Sequence, residues 1–311
     1  MLYNPGSGTT AICDHPYLNG ECAMQEVAPQ RVVDTLECLC HLSLREDHGL
    51  SEDQAVQRLN SELAYYHNLD LPRLSMSQIF ERFAISLSNR QSLFTLVFGG
   101  DRNFGPIMER YRPVLHGWCP SEIVKDYGVD DERLLRAILG ARQLRPEQAE
   151  WQMTRQRSQL RRYANGLLAG ARYFSRFDQP YEFTEFIGKW LHDPDMAAML
   201  PQYFAALGFD GFGAALAADF LKEIGVKQLG KPDVWVYRSM EAAGWIRTGA
   251  SEFDIQRAFW KAAEVLGPDY PPVIIDKLMF LVGAGRYVMV KPQYKCKSRF
   301  EEYRLRVVEA G

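Results

Sequence analysis

From about residue 30 to residue 283, apolar side chains return every three or four positions, and stretches that alternate apolar with polar are nearly absent. That period is the strongest constraint on the fold, because only a helix brings positions i, i+3 and i+4 to one face. In "QRVVDTLECLCHLSL", Val32, Val33, Leu36, Leu39, Leu42 and Leu44 fall mostly at helical intervals. "LSEDQAVQRLNSELAYY" follows, with Ser51 at its N-cap and acids in its first turn. "SMSQIFERFAISLSNRQSLFTLVFGG" is a long apolar stretch that ends at a Gly pair. The spacing predicts further helices at 106–115, 120–126, 130–140, 146–170, 182–192, 195–206, 213–224, 233–243, 252–265 and 271–283, with short breaks carrying Gly, Pro or Asp. The one plausible extended stretch is "RYVMVKPQY" at 286–294, where Pro292 argues for an edge or a tail. The expected fold class is all-α.

With 311 residues, 47% of them apolar, the chain can bury a large core, and two lobes are expected. The net charge of −3 hides an uneven distribution: residues 1–80 carry 4 Lys+Arg against 11 Asp+Glu, and the remainder carries 32 against 28. A polyanion would therefore meet the later part of the chain. Residues 1–28 are Gly-, Pro- and Asn-rich without periodicity and read as an irregular arm or cover. The expected division is an N-terminal helical extension or cover at 1–77, a core at 78–290 and a basic tail at 291–311 carrying Lys291, Lys295, Lys297 and Arg299. The six cysteines (Cys13, Cys22, Cys38, Cys40, Cys119 and Cys296) are scattered and read as reduced thiols. Cys13, His15 and Cys22, or Cys38, Cys40 and His41, lack the close Cys pairing of zinc sites. No apolar run approaches the ~18–20 residues needed to span a bilayer, so a cytoplasmic protein with no membrane partner is expected.

The stretch "GFDGFGAALAADFLKEIGVKQLGKPDVWVYR" at 208–238 carries the chemistry. Gly211–Phe212–Gly213 joins two helical patterns, so the segment reads as a helix-hairpin-helix. The glycines permit positive φ and close backbone approach, and Phe212 can pin the turn into the core. The first amides of the second helix, near Ala214 and Ala215, are unpaired and lie at the positive end of its dipole, where a phosphate fits. A tight turn with a Gly C-cap gives the same letters. Twenty positions after Gly213, Asp233 stands behind Pro232 at the start of another helix. An Asp there can simply cap the helix, which is worth ~1 kcal/mol. A carboxylate close to a bound phosphate disfavours DNA binding unless positive charge develops on the sugar beside it.

These residues resemble the helix-hairpin-helix superfamily of base-excision DNA glycosylases, whose hairpin reads L-P-G-V-G-x-x-T-A and whose catalytic Asp follows in V-D-x-x-V. Gly211, Gly213 and Ala217 fit the first box; Asp233 and Val236 fit the second. "FAISLSNRQS" (83–92) and "VIIDKLMFLVGAGRY" (273–287) are similar to flanking helices of that family. The likeness covers roughly residues 78–290. It implies a two-lobed helical fold and duplex DNA containing a modified base as the partner. Asp233 would be the catalytic carboxylate, and the turn at Gly211, Phe212, Gly213, Ala214 and Ala215 would hold a DNA phosphate. A monovalent cation (K⁺ or Na⁺) would sit at hairpin carbonyls near Gly211 and Gly213.

The chain departs from the pattern at Asp210, Leu216 and Trp235. Ala215 occupies the position of the lysine nucleophile of bifunctional members, so simple hydrolysis of the N-glycosidic bond is implied, leaving an abasic site. After Cys119 only Cys296 remains, so no iron–sulfur cluster is expected. Asn89 and Gln91 would fill the gap left in the duplex. Trp118, Trp151, Tyr173, Phe174 and Trp190 are candidates for stacking on the flipped base, although large aromatics are mostly core. Arg155, Arg162 and Arg172, from the Arg-rich stretch 142–176, would track phosphates. Asp219 reads as a surface or packing residue. A monomeric glycosylase for a damaged or hypermodified base is thus expected. The alternatives are a non-enzymatic helix-hairpin-helix DNA-binding protein and an RNA- or nucleotide-directed glycosidase.

Overall fold

A computed structural model describes residues 26–89, 93–100, 104–155 and 158–308. Gln91, Cys13, His15 and Cys22 lie outside the described residues. The chain is all-helical apart from one two-stranded ribbon among the described residues.

The helices divide between two apolar cores. The first core runs from Leu71 to Leu229. It gathers α3 (Met76–Ser88), α4 (Leu93–Phe98), α5 (Phe104–Val114), α6 (Pro120–Tyr127), α7 (Asp131–Arg142), α8 (Pro146–Thr154), α9 (Gln159–Phe174), α10 (Pro180–Gly188), α11 (Pro194–Ala206) and α12 (Ala214–Glu223). Two expected helices are divided. The apolar stretch 75–100 breaks after Ser88, where Asn89 leaves helical geometry. The expected 146–170 helix breaks at Arg155, which is extended, and Ser158 caps a new helix by accepting from the Arg161 amide. Capping by Ser is a local choice that overrides a continuous apolar period.

The second core joins residues 27–69 to residues 236–307. α1 (Pro29–His48) and α2 (Glu52–His67) pack with α13 (Val234–Ala242), α14 (Glu252–Leu266), α15 (Pro272–Ala284) and α16 (Phe300–Val308). Residues 27–69 therefore supply two of the six helices of this lobe and are not a cover over a separate 78–290 core. Their Val32, Val33, Leu36 and Leu39 are fully buried against the C-terminal helices. The expected basic tail is docked over its described residues. β1 (Arg286–Tyr287) pairs antiparallel with β2 (Tyr294–Lys295), and α16 buries Tyr303 and Val307. α15 is buried on nearly every face, as a helix apolar all round must be.

The first core is built on aromatic edges. The Phe83 ring lies 5.0–5.7 Å from Phe174, Phe209, Phe212 and Phe220, in tilted and edge-to-face arrangements that aromatic pairs favour. This cluster anchors the α11–α12 turn, because Phe209 and Phe212 both belong to it.

Candidate functional site

α12 carries two kinds of residue. Leu216, Phe220 and Leu221 face the first core. Asp219, Lys222 and Glu223 share the opposite face, at i, i+3 and i+4, and reach toward the second lobe. Glu223 accepts from the hydroxyls of Tyr65 (3.1 Å) and Tyr66 (3.0 Å) on α2. Lys222 Nζ lies 2.9 Å from Asp276 on α15 and 3.7 Å from Asp219. Between the lobes these side chains line a cavity of about 610 Å³, together with Asn89, Lys231, Asp233, Lys277, Phe280 and Arg286.

Asp233 enters this cavity because the chain is held on both sides of it, at Gly230 and at Trp235. The connection before it is clamped at Gly230, whose amide donates to Gln256 Oε1 (3.2 Å) and whose carbonyl accepts from Gln256 Nε2 (2.6 Å). On α13, the Trp235 side chain lies over Gly283 of α15, where a Cβ would come within 2.5 Å of it. Only glycine allows that approach, and it brings the α13 N-terminus beside Asp276. Asp233 Oδ1 accepts from the amides of Trp235 (2.8 Å) and Val236 (3.1 Å). Oδ2 has no hydrogen-bond partner among the described residues. Burial and then the neighbouring Asp276 carboxylate raise the Asp233 pKa above the ordinary carboxylate value, and the two amides and Lys231 oppose them only in part.

The rest of the site is a set of buried charges. Asp219, Lys222, Asp276 and Lys277 are each under 8% exposed, and Glu62 is fully buried. Isolated ions are not tolerated in such places, and each has a partner. Burial opposes the Asp219 carboxylate, but Lys231 at 3.2 Å, Lys222 and the Asn89 amide at 2.8 Å outweigh it and hold its pKa low. Burial likewise opposes the Lys222 ammonium, but Asp276 and Asp219 reverse the effect and raise its pKa. Lys277 differs. Burial lowers its pKa, and its nearest carboxylate, Glu62, is 3.4 Å away and shared with Arg58 and the amides of Met289 and Val290.

The hairpin lies at the other end of α12, six residues or about 9 Å from Asp219. Gly211 has φ +82°, as expected for a glycine turn. Gly213 does not: its φ is −88°, and a Cβ there would meet nothing within 4 Å. What Gly213 supplies is exposure. It caps α12 without a side chain, and the amides of Ala214 and Ala215 have no acceptor among the described residues. Phe212 is 3% exposed and points into the aromatic core, so its side chain is an anchor and not a DNA contact. The Gly213 carbonyl accepts from Leu216 and Ala217, each at 3.0 Å, and is not free to hold a cation. The Gly211 carbonyl accepts from no donor among the described residues and fits that role.

Several expectations are corrected. The Arg162 guanidinium is partly committed: its Nε donates to Asp210 of the turn at 2.8 Å. Arg172 donates to the Gly128 carbonyl. Trp118 is 1% exposed, Tyr173 is 7% exposed and Phe174 is fully buried, all within the first core. Trp190 packs on Phe186 and Tyr203, away from the cavity lining. Trp151 is 44% exposed but lines a different groove, with the Arg155 guanidinium 4.8 Å from its ring centre. Asn89 reaches the cavity through Asp219. Asp219 is a buried cavity residue and not a surface one.

Sequence reasoning missed Asp276, Lys277 and Glu62. A signal existed: "VIIDKLMFLV" sets an adjacent Asp–Lys in an otherwise apolar helix, so both must find buried partners. Among the described residues, no group of three or more His, Cys, Asp or Glu side chains is positioned to hold a metal ion, and no helix is long and apolar enough to cross a membrane. Comparison with protein-family profiles, with curated proteins and with solved structures finds no match to this chain.

Proposed function

We propose that the chain grips a duplex DNA phosphate at the Gly211–Ala215 turn and hydrolyses the N-glycosidic bond of a modified base turned out into the interlobe cavity. One observation carries this reading. Asp233 presents an uncommitted carboxylate oxygen to a cavity that also meets the far end of the hairpin helix. A carboxylate that faces a cleft with one oxygen uncommitted, its pKa raised by burial, is a candidate reaction centre.

The steps follow from the residues. A phosphate accepts from the open amides of Ala214 and Ala215 at the positive end of α12. The nucleotide leaves the stack, at a cost of a few kcal/mol. Asp233 is fixed through Oδ1 by the helix amides, and Oδ2 stabilises positive charge developing at C1′ as the C1′–N bond breaks. Water supplies the oxygen that bonds to C1′, and its proton leaves with the base, so the product is an abasic sugar. With Ala215 at the hairpin lysine position, no covalent step is needed there. A monovalent cation at the Gly211 carbonyl would support the turn. The protein is read as a cytoplasmic monomer needing no other cofactor.

The two hydrogen bonds that fix Oδ1 are also those of an ordinary N-cap, which favours the second reading: a non-enzymatic DNA-binding protein. A panel of duplexes bearing different modified bases, cleaved with alkali at abasic sites, separates the two. Strand breaks that vanish in Asp233→Asn, with duplex binding retained, support the glycosylase. Tight binding with no abasic sites across the panel favours the binding protein. Competition by RNA or free nucleosides distinguishes an RNA- or nucleotide-directed glycosidase.

A further inference from the structure

We infer that the base admitted to the interlobe cavity carries an anionic arm, a carboxylate or a phosphate, received by Arg286 and Lys277. This rests on the proposed nucleotide chemistry and names its substrate class.

The inference follows from which charges in the lining are already matched. The anions are nearly all occupied. Asp219 has Lys231, Lys222 and Asn89; Asp276 has Lys222; Glu223 has the Tyr65 and Tyr66 hydroxyls. Two carboxylate oxygens remain: Asp233 Oδ2, which the sugar chemistry requires, and Asp276 Oδ1, which belongs to a carboxylate already paired with Lys222 through Oδ2. The cations are not all occupied. Arg286 lines the cavity from β1, and its side chain makes no hydrogen bond or ion pair among the described residues. Lys277 has one carboxylate contact, at 3.4 Å, to a group that four other donor contacts share, and otherwise only the Phe280 and Tyr66 rings, 5.5 and 6.0 Å from its Nζ. The surplus recognition capacity is therefore positive, and a guanidinium is the fork best matched to a carboxylate or phosphate. Lys277 also faces Lys222, which depresses its proton affinity further after burial, and an arriving anion would relieve that strain. At about 610 Å³ the space is also generous for a bare ring, within the roughly 300–1,000 Å³ of clefts that enclose larger ligands.

The test is a binding series with full-length Asp233→Asn protein. Each duplex carries one pyrimidine whose 5-methyl bears a hydroxyl, an amine, a carboxylate or a phosphate. The carboxylate or phosphate arm is expected to bind about tenfold more tightly than the hydroxyl arm, one ordinary charge-assisted contact. Which of the two binds more tightly identifies the arm. Arg286 is exposed, so Arg286→Gln is expected to fold normally and to erase most of that ratio. An anionic arm that binds no better than the hydroxyl, or a preference unchanged in Arg286→Gln, overturns the inference. Base release by the wild-type protein is scored separately on the same duplexes. Its absence overturns the proposed hydrolysis and leaves the binding preference to be judged alone.

Discussion

Lys222 Nζ lies 2.9 Å from Asp276 Oδ2, and this buried pair ties the hairpin helix α12 to the central helix α15 of the other lobe. The two side chains are 7% and 1% exposed, so neither charge is screened by solvent. The pair spans the wall of the cavity and fixes how far apart the two lobes stand there.

Removing one partner leaves the other charged and buried. Lys222→Met is expected to destabilise the fold by about 3–5 kcal/mol. Lys222→Met with Asp276→Leu is expected to regain most of that, since apolar residues of similar volume often replace buried pairs without loss. Urea unfolding of the single and double variants measures both. Equal destabilisation in the two would show that the pair is not what holds the interface.

Asp233 both caps a helix and faces the cavity, and two substitutions separate these roles. Asn caps as well as Asp does, so Asp233→Asn should melt near the wild-type temperature while base release falls roughly a hundredfold or more. Asp233→Ala should lose the same activity and also about 1 kcal/mol of stability. A substantially active Asp233→Asn protein would reduce the residue to a cap.

In the proposed reaction the ionised Asp233 carboxylate is the working form, so the rate of base release should fall as pH drops through a midpoint above the ordinary 3.8. Its stability effect has the opposite sign. A raised folded pKa favours the protonated form, so that contribution is complete below 3.8 and is lost as pH rises through the folded value. Asp219, held below 3.8, stabilises above that value and loses its contribution as pH falls through its lower folded pKa. A pH–rate profile with its acid midpoint at or below 3.8 would contradict burial as the cause.

At the hairpin, Gly213→Asp tests the phosphate seat without harming the helix. Asp is at least as good an N-cap as Gly, so stability should hold or rise by a few tenths of a kcal/mol. The new carboxylate would occupy the space before the Ala214 and Ala215 amides, and duplex affinity should fall roughly tenfold or more. Gly211→Ala acts differently: φ +82° is strained for alanine, at a cost of about 1–2 kcal/mol. Fluorescence anisotropy and thermal melting together check both. Undiminished binding by Gly213→Asp would remove the turn from the DNA interface.

The helices were legible because burial of an apolar stripe writes its period into the chain. Asp233 was legible because Pro232 and the following apolar positions mark a helix start, and the turn because Gly211 needs its positive φ. The breaks after Ser88 and Arg155 were not, because apolar spacing continues across both and only local capping interrupts it. The aromatic candidates failed for a related reason: Trp118, Tyr173 and Trp190 bear the same letters whether they line a cavity or fill a core.

The sequence by itself determined an all-α chain, a glycine turn ahead of an alanine-rich helix, and an aspartate at a helix start, since each is a local matter of period, φ and capping. Tertiary structure alone decided that residues 27–69 and 236–307 build one lobe. It also decided that Asp219, Lys222, Asp276 and Lys277, drawn from two helices, line one cavity with Asp233, and that Glu62 of a third helix pairs with Lys277. Buried charges are tolerated only with partners, and those partners lie up to 215 positions apart in the chain.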